Sequence, residues 1–243
     1  MNESRPHFFG MLAGLFLAVG LVGATLLAST AWVKVKTSQY ISVKGAAHKN
    51  IESDLAIWRG SYVVEAGTLL EAQQLLQSNR TLVGQFINAA GTLAPTFLPV
   101  AIEELKKTKK DAEGWSQQLI SGYRLTQSVQ VETTNVELVA RLDTTPLLEQ
   151  GVVFTTEPPQ FIYTSVGEAK LEMLAEAAKD ARARAEQIAT QGGREIAQLH
   201  DADQGVFQIT PRHQSATSWQ GENDTSAREK TITAVVTASF LLK

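Results

Sequence analysis

The spacing of apolar positions predicts a long amphipathic helix between Ser165 and Gly193. Apolar side chains recur there every three or four residues, which is the spacing of one helix face. They are Leu171, Leu174, Ala178, Ala181, Ala185 and Ile188. Ser165 and Glu168 have the spacing of a capping box, and glycines at 192 and 193 favour termination. Because half of this stripe is alanine, we expect the helix to lie close against a sheet.

A second helix is predicted over Thr68–Ala90 by the same signals. Thr68 and Glu71 form another capping-box pair, and Gly91 follows as a stop. Its predicted buried side consists of Leu69, Ala72, Leu76, Val83, Phe86 and Ala90. The two helices are the main helical elements that we expect after the N-terminus.

Strict alternation marks the clearest strand, at Ser121–Thr133. Tyr123, Leu125, Val129 and Val131 share one face, and Arg124, Thr126, Ser128, Gln130 and Glu132 share the other. One apolar and one polar face is typical of antiparallel sheets, whereas parallel strands are apolar on both faces. The pattern therefore disfavours a doubly wound sheet.

Further strands are predicted on both sides of this one. They lie at Tyr40–Gly45, Leu55–Glu65, Val152–Tyr163, Val206–Thr210 and Thr231–Leu242, with the first two interpreted as a hairpin. A short helix is predicted within Asn135–Gly151, and solvated segments at Glu103–Gly114 and Pro211–Glu229. The predicted fold class is α+β: an antiparallel sheet with two main helices on one face.

The N-terminal segment is apolar enough to cross a membrane. No charged residue occurs from Pro6 to Val33, and residues 8–32 would form a helix of roughly 37 Å. Lys34 and Lys36 follow the apolar run, which favours an uncleaved anchor over a removed signal peptide. We therefore predict a membrane anchor or signal segment at residues 1–36 and an α+β domain at residues 38–243. Because the N-terminal segment is similar to an export signal, we expect the domain to lie in the periplasm.

Composition narrows the classes of function. The net charge is −3 and no basic stripe is present, so nucleic acid is not an expected partner. The chain has no cysteine, which excludes disulfides and thiol redox catalysis. Glycine-rich phosphate loops, nucleophile elbows and zinc-binding helices are absent from the sequence. We expect no enzymatic activity and assign no catalytic residue and no cofactor.

Two places in the sequence carry candidate chemistry. His200, Asp201 and Asp203, with Glu195 upstream, resemble a metal-ligand run, but their spacing fits an ordinary polar turn better and we assign no metal. Trp219 lies in a polar loop, where it either folds back onto its own domain or anchors a partner. Trp58 and Tyr62 are interpreted as core residues.

Several segments together resemble the SIMPL-domain family of bacterial envelope proteins. The resemblance is carried by Tyr40–Gly45, Ser53–Trp58, Tyr123–Val131, Ala175–Ala185, Asp201–Ile209 and Thr231–Leu242. It covers about residues 38 to 243, and its motifs are structural. Asn88–Gln118 and Pro211–Glu229 carry little of the family pattern.

The resemblance implies an α+β domain exported to the periplasm or attached to the inner membrane. For some members of the family, the resemblance also implies ring-like or channel-like oligomers and a link to oxidative-stress tolerance. The resemblance supplies no catalytic residue. We therefore expect a non-enzymatic, membrane-anchored protein that forms homo-oligomers. The alternative is a periplasmic small-molecule-binding or enzymatic domain with a site between the alanine-rich helix and the sheet.

Overall fold

The computed structural model describes residues 6–37, 39–91, 94–110, 116–214 and 218–243. These residues form five helices and eleven strands. In chain order the elements are α1 (Pro6–Thr37), β1 (Tyr40–Glu52), β2 (Leu55–Ala66), α2 (Leu69–Gly91), β3 (Thr96–Phe97), β4 (Ala101–Lys110), β5 (Ser116–Thr133), α3 (Val136–Ala140), α4 (Thr145–Glu149), β6 (Phe154–Thr156), β7 (Gln160–Ile162), α5 (Val166–Gln191), β8 (Ile196–Gln204), β9 (Gln208–Pro211), β10 (Glu222–Asn223) and β11 (Glu229–Leu242).

The chain divides into two compact units. Unit 1 takes its described residues from Met1–Ala47, Leu174–Gly205 and Val235–Lys243. Unit 2 takes them from His48–Met173 and Val206–Ala234. The boundary between an N-terminal segment at 1–36 and a domain at 38–243 stays a prediction.

Unit 2 contains a six-stranded antiparallel sheet in which β2 and β5 are central. The strand order is β3-β5-β2-β6, with β4 also paired to β5 and β7 to β2. The β2–β5 ladder runs without interruption from Ala56 opposite Thr133 to Ala66 opposite Tyr123. Trp58 and Tyr62 are buried in the core that this sheet forms with α2, as predicted. The antiparallel α+β class is confirmed.

A second, five-stranded sheet has the order β1-β11-β9-β10, with β8 also paired to β11. In this sheet, β8 and β9 each pair with β11 in the antiparallel direction, whereas β10 runs parallel to β9. The predicted β1–β2 hairpin is therefore wrong, because these strands belong to different sheets. The physical reason is that both edges of β2 are occupied: β5 pairs with one edge, and β6 and β7 pair with the other, so none is left for β1.

Helix α2 was predicted to within a residue at each end. In its capping box, Glu71 N–H donates to Thr68 Oγ1 at 3.3 Å and Thr68 N–H donates to Glu71 Oε2 at 3.2 Å. The buried side consists of Ala72, Leu76, Val83 and Ile87. Leu69 was placed on that side and is exposed, because the first turn of the helix extends beyond the core.

Helix α5 has the predicted length but a different buried stripe. The buried residues are Ala169, Met173, Ala177, Ala181, Ala185 and Ala189, spaced every fourth residue. Leu171 and Ile188, which were predicted to be buried, are 72% and 56% exposed. Small alanines allow the closest approach to a strand, so they outcompete the larger side chains for the buried face.

Two segments predicted as loops are strands. Ala101–Lys110 forms β4 and pairs with β5. Most of its described side chains are solvent-exposed, as its charge suggested, and residues 111–114 of the predicted segment lie outside the described residues. The run from His200 to Asp203 lies within β8 and pairs with β11, so the predicted turn is wrong there. Aspartate is uncommon in strands, which is why the polar run favoured a turn.

Helix α1 contains one stretch that is long and apolar enough to cross a membrane. This stretch, Gly10–Thr30, has a mean hydropathy of 2.3 and none of it is buried. A signal sequence has the same features. The helix is thus compatible with either a membrane anchor or an export signal.

Candidate functional site

The packing of α5 in unit 1 is set by a glycine in β1. A Cβ atom added at Gly45 would lie 2.7 Å from the Cα atom of Ala181, and closer still to the carbonyl oxygen of Ala177. Any side chain at position 45 would therefore displace the helix. The buried alanines of α5 form its contact with the sheet in this unit, and we call this contact the alanine seam.

Beside this seam, β1 and the C-terminal half of α5 enclose an open groove of about 680 Å³. We call it the edge groove. Its lining includes Ser42 and Lys44 of β1 and Arg184, Gln187, Ile188 and Gln191 of α5. Ile188 adds an apolar contact to the groove.

One backbone group on the edge of β1 is already occupied. The N–H of Ala46 donates to Asp180 Oδ2 at 2.9 Å, and Arg184 Nε donates to the same oxygen at 2.8 Å. The hydrogen bond from Ala46, reinforced by Arg184, lowers the pKa of Asp180. Asp180 therefore stays ionised, and Lys44 remains outside this network.

The predicted candidates at His200 do not form a metal site in the structure. His200 and Asp203 are exposed on β8, and the ring of His200 lies 5.7 Å from that of Tyr40. Glu195 precedes β8, and its carbonyl accepts from Lys243 N–H at 2.8 Å. Within the described ranges, no three His, Asp or Glu side chains lie close enough together to hold one metal ion.

Trp219 is 90% exposed, so it does not fold back onto unit 2. It follows Ser218, whose backbone is held on both sides by one side chain. Gln208 Nε2 donates to Ser218 O at 2.5 Å, and Ser218 N–H donates to Gln208 Oε1 at 3.2 Å. The buried amide of Gln208 thus fixes the turn that presents the indole, a role that the sequence did not reveal.

Two buried polar groups in unit 2 were also missed by the sequence patterns. Tyr62 O–H donates to Gln127 Oε1 at 2.5 Å on the otherwise apolar face of β5. The ammonium of Lys230, only 2% exposed, donates to the carbonyl oxygens of Phe161 and Asp224 at 2.5 and 2.6 Å. Both groups are consumed by internal hydrogen bonds, which indicates structural roles.

Comparison with family models identifies the family of the chain through a match that spans most of its length. A search of curated proteins finds no match. The family described as "SIMPL: Protein of unknown function (DUF541)" matches residues 41–240, which covers both units from β1 into β11. The chain therefore belongs to the SIMPL family.

Proposed function

We propose that this protein is a non-enzymatic, membrane-anchored domain of the bacterial envelope that self-associates. In this proposal α1 crosses the inner membrane once and the remainder lies in the periplasm. The alternative placement, a soluble periplasmic protein released by signal cleavage, would keep the same domain. The family membership supports an envelope location, and the apolar α1 supports attachment.

The observation that carries self-association is the open edge at β8. Only β11 pairs with β8 among the described strands, and its residues from Gln198 to Gln204 are exposed. A nine-residue strand with unpaired N–H and C=O groups is a template for pairing with another chain. Anchoring would raise the local concentration, so even a weak edge contact would persist on the membrane.

The absence of enzymatic activity is part of the proposal. Its support is the alanine seam, which fills the space between α5 and the sheet of unit 1 where a buried active site was the alternative. Any role in oxidative-stress tolerance would be indirect, because the chain has no cysteine with which to reduce a peroxide. An assembly at the envelope surface would act as a scaffold or barrier.

Sedimentation of the full-length protein in detergent tests the proposal. We expect species larger than one chain, whose fraction rises with protein concentration. Trp219→Ala is the matched variant for the exposed loop: normal assembly of that variant would exclude only the loop as a contact. Strictly monomeric behaviour of the wild-type protein at every concentration would overturn self-association.

A cellular test addresses the envelope role. A host strain that lacks the protein should become more sensitive to peroxide, and a copy that cannot assemble should fail to restore resistance. Full restoration by a monomeric variant would separate the stress role from assembly. Equal peroxide survival with and without the protein would remove the stress role altogether.

A further inference from the structure

In unit 1, β1 and β8 lie on opposite sides of β11 and form its two edges. On the β1 edge, the N–H of Ala46 is taken by Asp180. Leu242 N–H donates to Gln39 O at 2.9 Å, and the hydroxyls of Ser42 and Ser239 are 3.1 Å apart. On the other side, Thr237 is opposite Asp203. No other strand of the described chain pairs with β1 or with β8.

The free backbone groups on each edge follow from these registers. In an antiparallel ladder every second residue of a strand hydrogen-bonds to the partner strand. Because Gln39 bonds to β11, the backbone N–H and C=O groups of Ser42, Lys44 and Ala46 point away from β11. The Ala46–Asp180 hydrogen bond agrees with this alternation. On β8, Gly205 N–H donates to Val235 O, which directs the groups of Ala202 and Gln204 outward.

Opposite charges occupy the two edges on the same face of the sheet. Val43 and Gly45 face α5, so the side chain of Lys44 points to the other face. Val236 and Ala238 are also buried, which places Thr237 and Asp203 on the face of Lys44. Continuing the register from Ser42 and Ser239 places Lys44 opposite Thr237. One cross-strand row therefore begins with a lysine and ends with an aspartate.

Neither charge is neutralised by another side chain within the part of the chain that the structure describes. Among the described residues, Lys44 and Asp203 take part in no salt bridge, whereas neighbouring Arg184 is paired with Asp180. An edge that met its own copy across a two-fold axis would bring like charges together, lysine near lysine at β1 or aspartate near aspartate at β8. Pairing of β1 with β8 brings opposite charges together instead.

We propose that β1 of one copy pairs with β8 of a second copy, with Lys44 beside Asp203 of that copy. The inference rests on the proposed self-association and names its interface. Both strands are antiparallel to β11, so keeping the two charges on one face requires β1 and the incoming β8 to be parallel. The contact is head-to-tail: each copy retains one open edge of each kind, and assembly continues until a ring closes or a filament forms.

Charge reversal in the full-length protein in detergent tests the pairing. Lys44→Glu and Asp203→Lys should each weaken assembly roughly tenfold, and the double variant should restore it because the row is then reversed at every contact. Lys107→Glu, the same change on exposed β4, should have no effect. Monomeric wild-type protein would overturn the proposed function itself. Assembly that survives both single changes, or is not restored in the double variant, would overturn this pairing alone.

Proline variants test the head-to-tail geometry. Lys44→Pro and Gln204→Pro remove N–H groups that face outward, so the ladder to β11 is retained while each open edge is blocked. Each variant alone should be monomeric. A 1:1 mixture should give a two-chain complex and nothing larger, because only one intact β1 and one intact β8 can meet. If the Lys44→Pro variant alone assembled as the wild-type protein does, another interface would be responsible and the proposal would be overturned.

Discussion

Gly45 of β1 lies directly against Ala181 of α5, so close that a Cβ atom at position 45 would stand 2.7 Å from the Ala181 Cα atom. This contact explains why the buried stripe of α5 consists mainly of alanine. It also fixes the height of α5 above β1, and with it the width of the edge groove lined by Lys44 and Arg184.

Gly45→Ala should therefore destabilise the protein. The added methyl group meets backbone atoms of α5, which cannot move aside as a flexible side chain would. We expect a loss of roughly 1–3 kcal/mol in the free energy of unfolding, measured by chemical denaturation in detergent. Gly167→Ala is the matched control, since no atom lies within 4 Å of its Cβ position. Equal stability of the two variants would contradict the close-packing argument.

Tyr62 should make stability fall at alkaline pH. Burial raises the pKa of Tyr62 from 10.0 to about 12. The folded chain then holds a proton that the unfolded chain has released, so the contribution is complete below pH 10 and is lost as the pH rises through about 12. This difference between the pKa of Tyr62 in the folded and unfolded chain corresponds to about 3 kcal/mol in the free energy of unfolding.

Tyr62→Phe should remove this alkaline loss. The variant should also be less stable at neutral pH by roughly 1–3 kcal/mol, because Gln127 Oε1 loses its donor in the core. Urea unfolding between neutral pH and pH 12 provides the measurement, with tyrosinate absorbance as a second readout. An unchanged alkaline slope in the variant would show that another group is responsible.

Lys230 should have the opposite dependence on pH. Burial lowers the pKa of Lys230 below its ordinary value of 10.5, although nearby Asp224 acts against the shift. At a pH between the pKa of Lys230 in the folded chain and its pKa of 10.5 in the unfolded chain, the unfolded chain binds more protons. The free energy of unfolding therefore rises as the pH approaches 10.5. Lys230→Met should abolish that rise and leave the carbonyl oxygens of Phe161 and Asp224 without their donor. Unfolding curves that keep the wild-type slope would contradict this assignment.

The sequence predicted those features that depend on local pattern. The capping box at Thr68 and Glu71 and the alternation of β5 are written in residues close together in the chain, and both were predicted correctly. The stripe of α5 was misplaced because hydrophobicity ranks Leu171 and Ile188 above alanine. Closeness to Gly45 favours alanine, and that contact joins residues more than a hundred positions apart.

The candidate interface was hidden for the same reason. Lys44 and Asp203 are unremarkable surface charges until the register through β11 places them in one row. The aspartates of β8 also lowered its strand propensity, so the edge that contains them was interpreted as a turn. Partner strands more distant in sequence than a hairpin turn are not specified by local pattern.

The Gln208 amide should control the mobility of the Trp219 turn. Gln208→Ala removes both hydrogen bonds to Ser218, so amide hydrogen exchange at Ser218 should accelerate, with a loss of roughly 1–2 kcal/mol in stability. Gln220→Ala, an exposed amide in the same turn, is the control and should leave both quantities unchanged. Slow exchange at Ser218 in Gln208→Ala would mean that the neighbouring strand β10 alone holds the turn.

The N-terminal helix should remain attached to the mature protein. The apolar stretch Gly10–Thr30 is longer than the apolar region of a secretory signal, and Ser29-Thr30-Ala31 is a poor cleavage site. Mass spectrometry of the membrane fraction should therefore detect the intact chain of 26.4 kDa. Shortening the stretch by deleting residues 15–21 should release the domain from the membrane, because about 20 apolar residues are needed to span it. A mature chain beginning at Trp32 and recovered in the soluble periplasm would refute anchoring and leave only export.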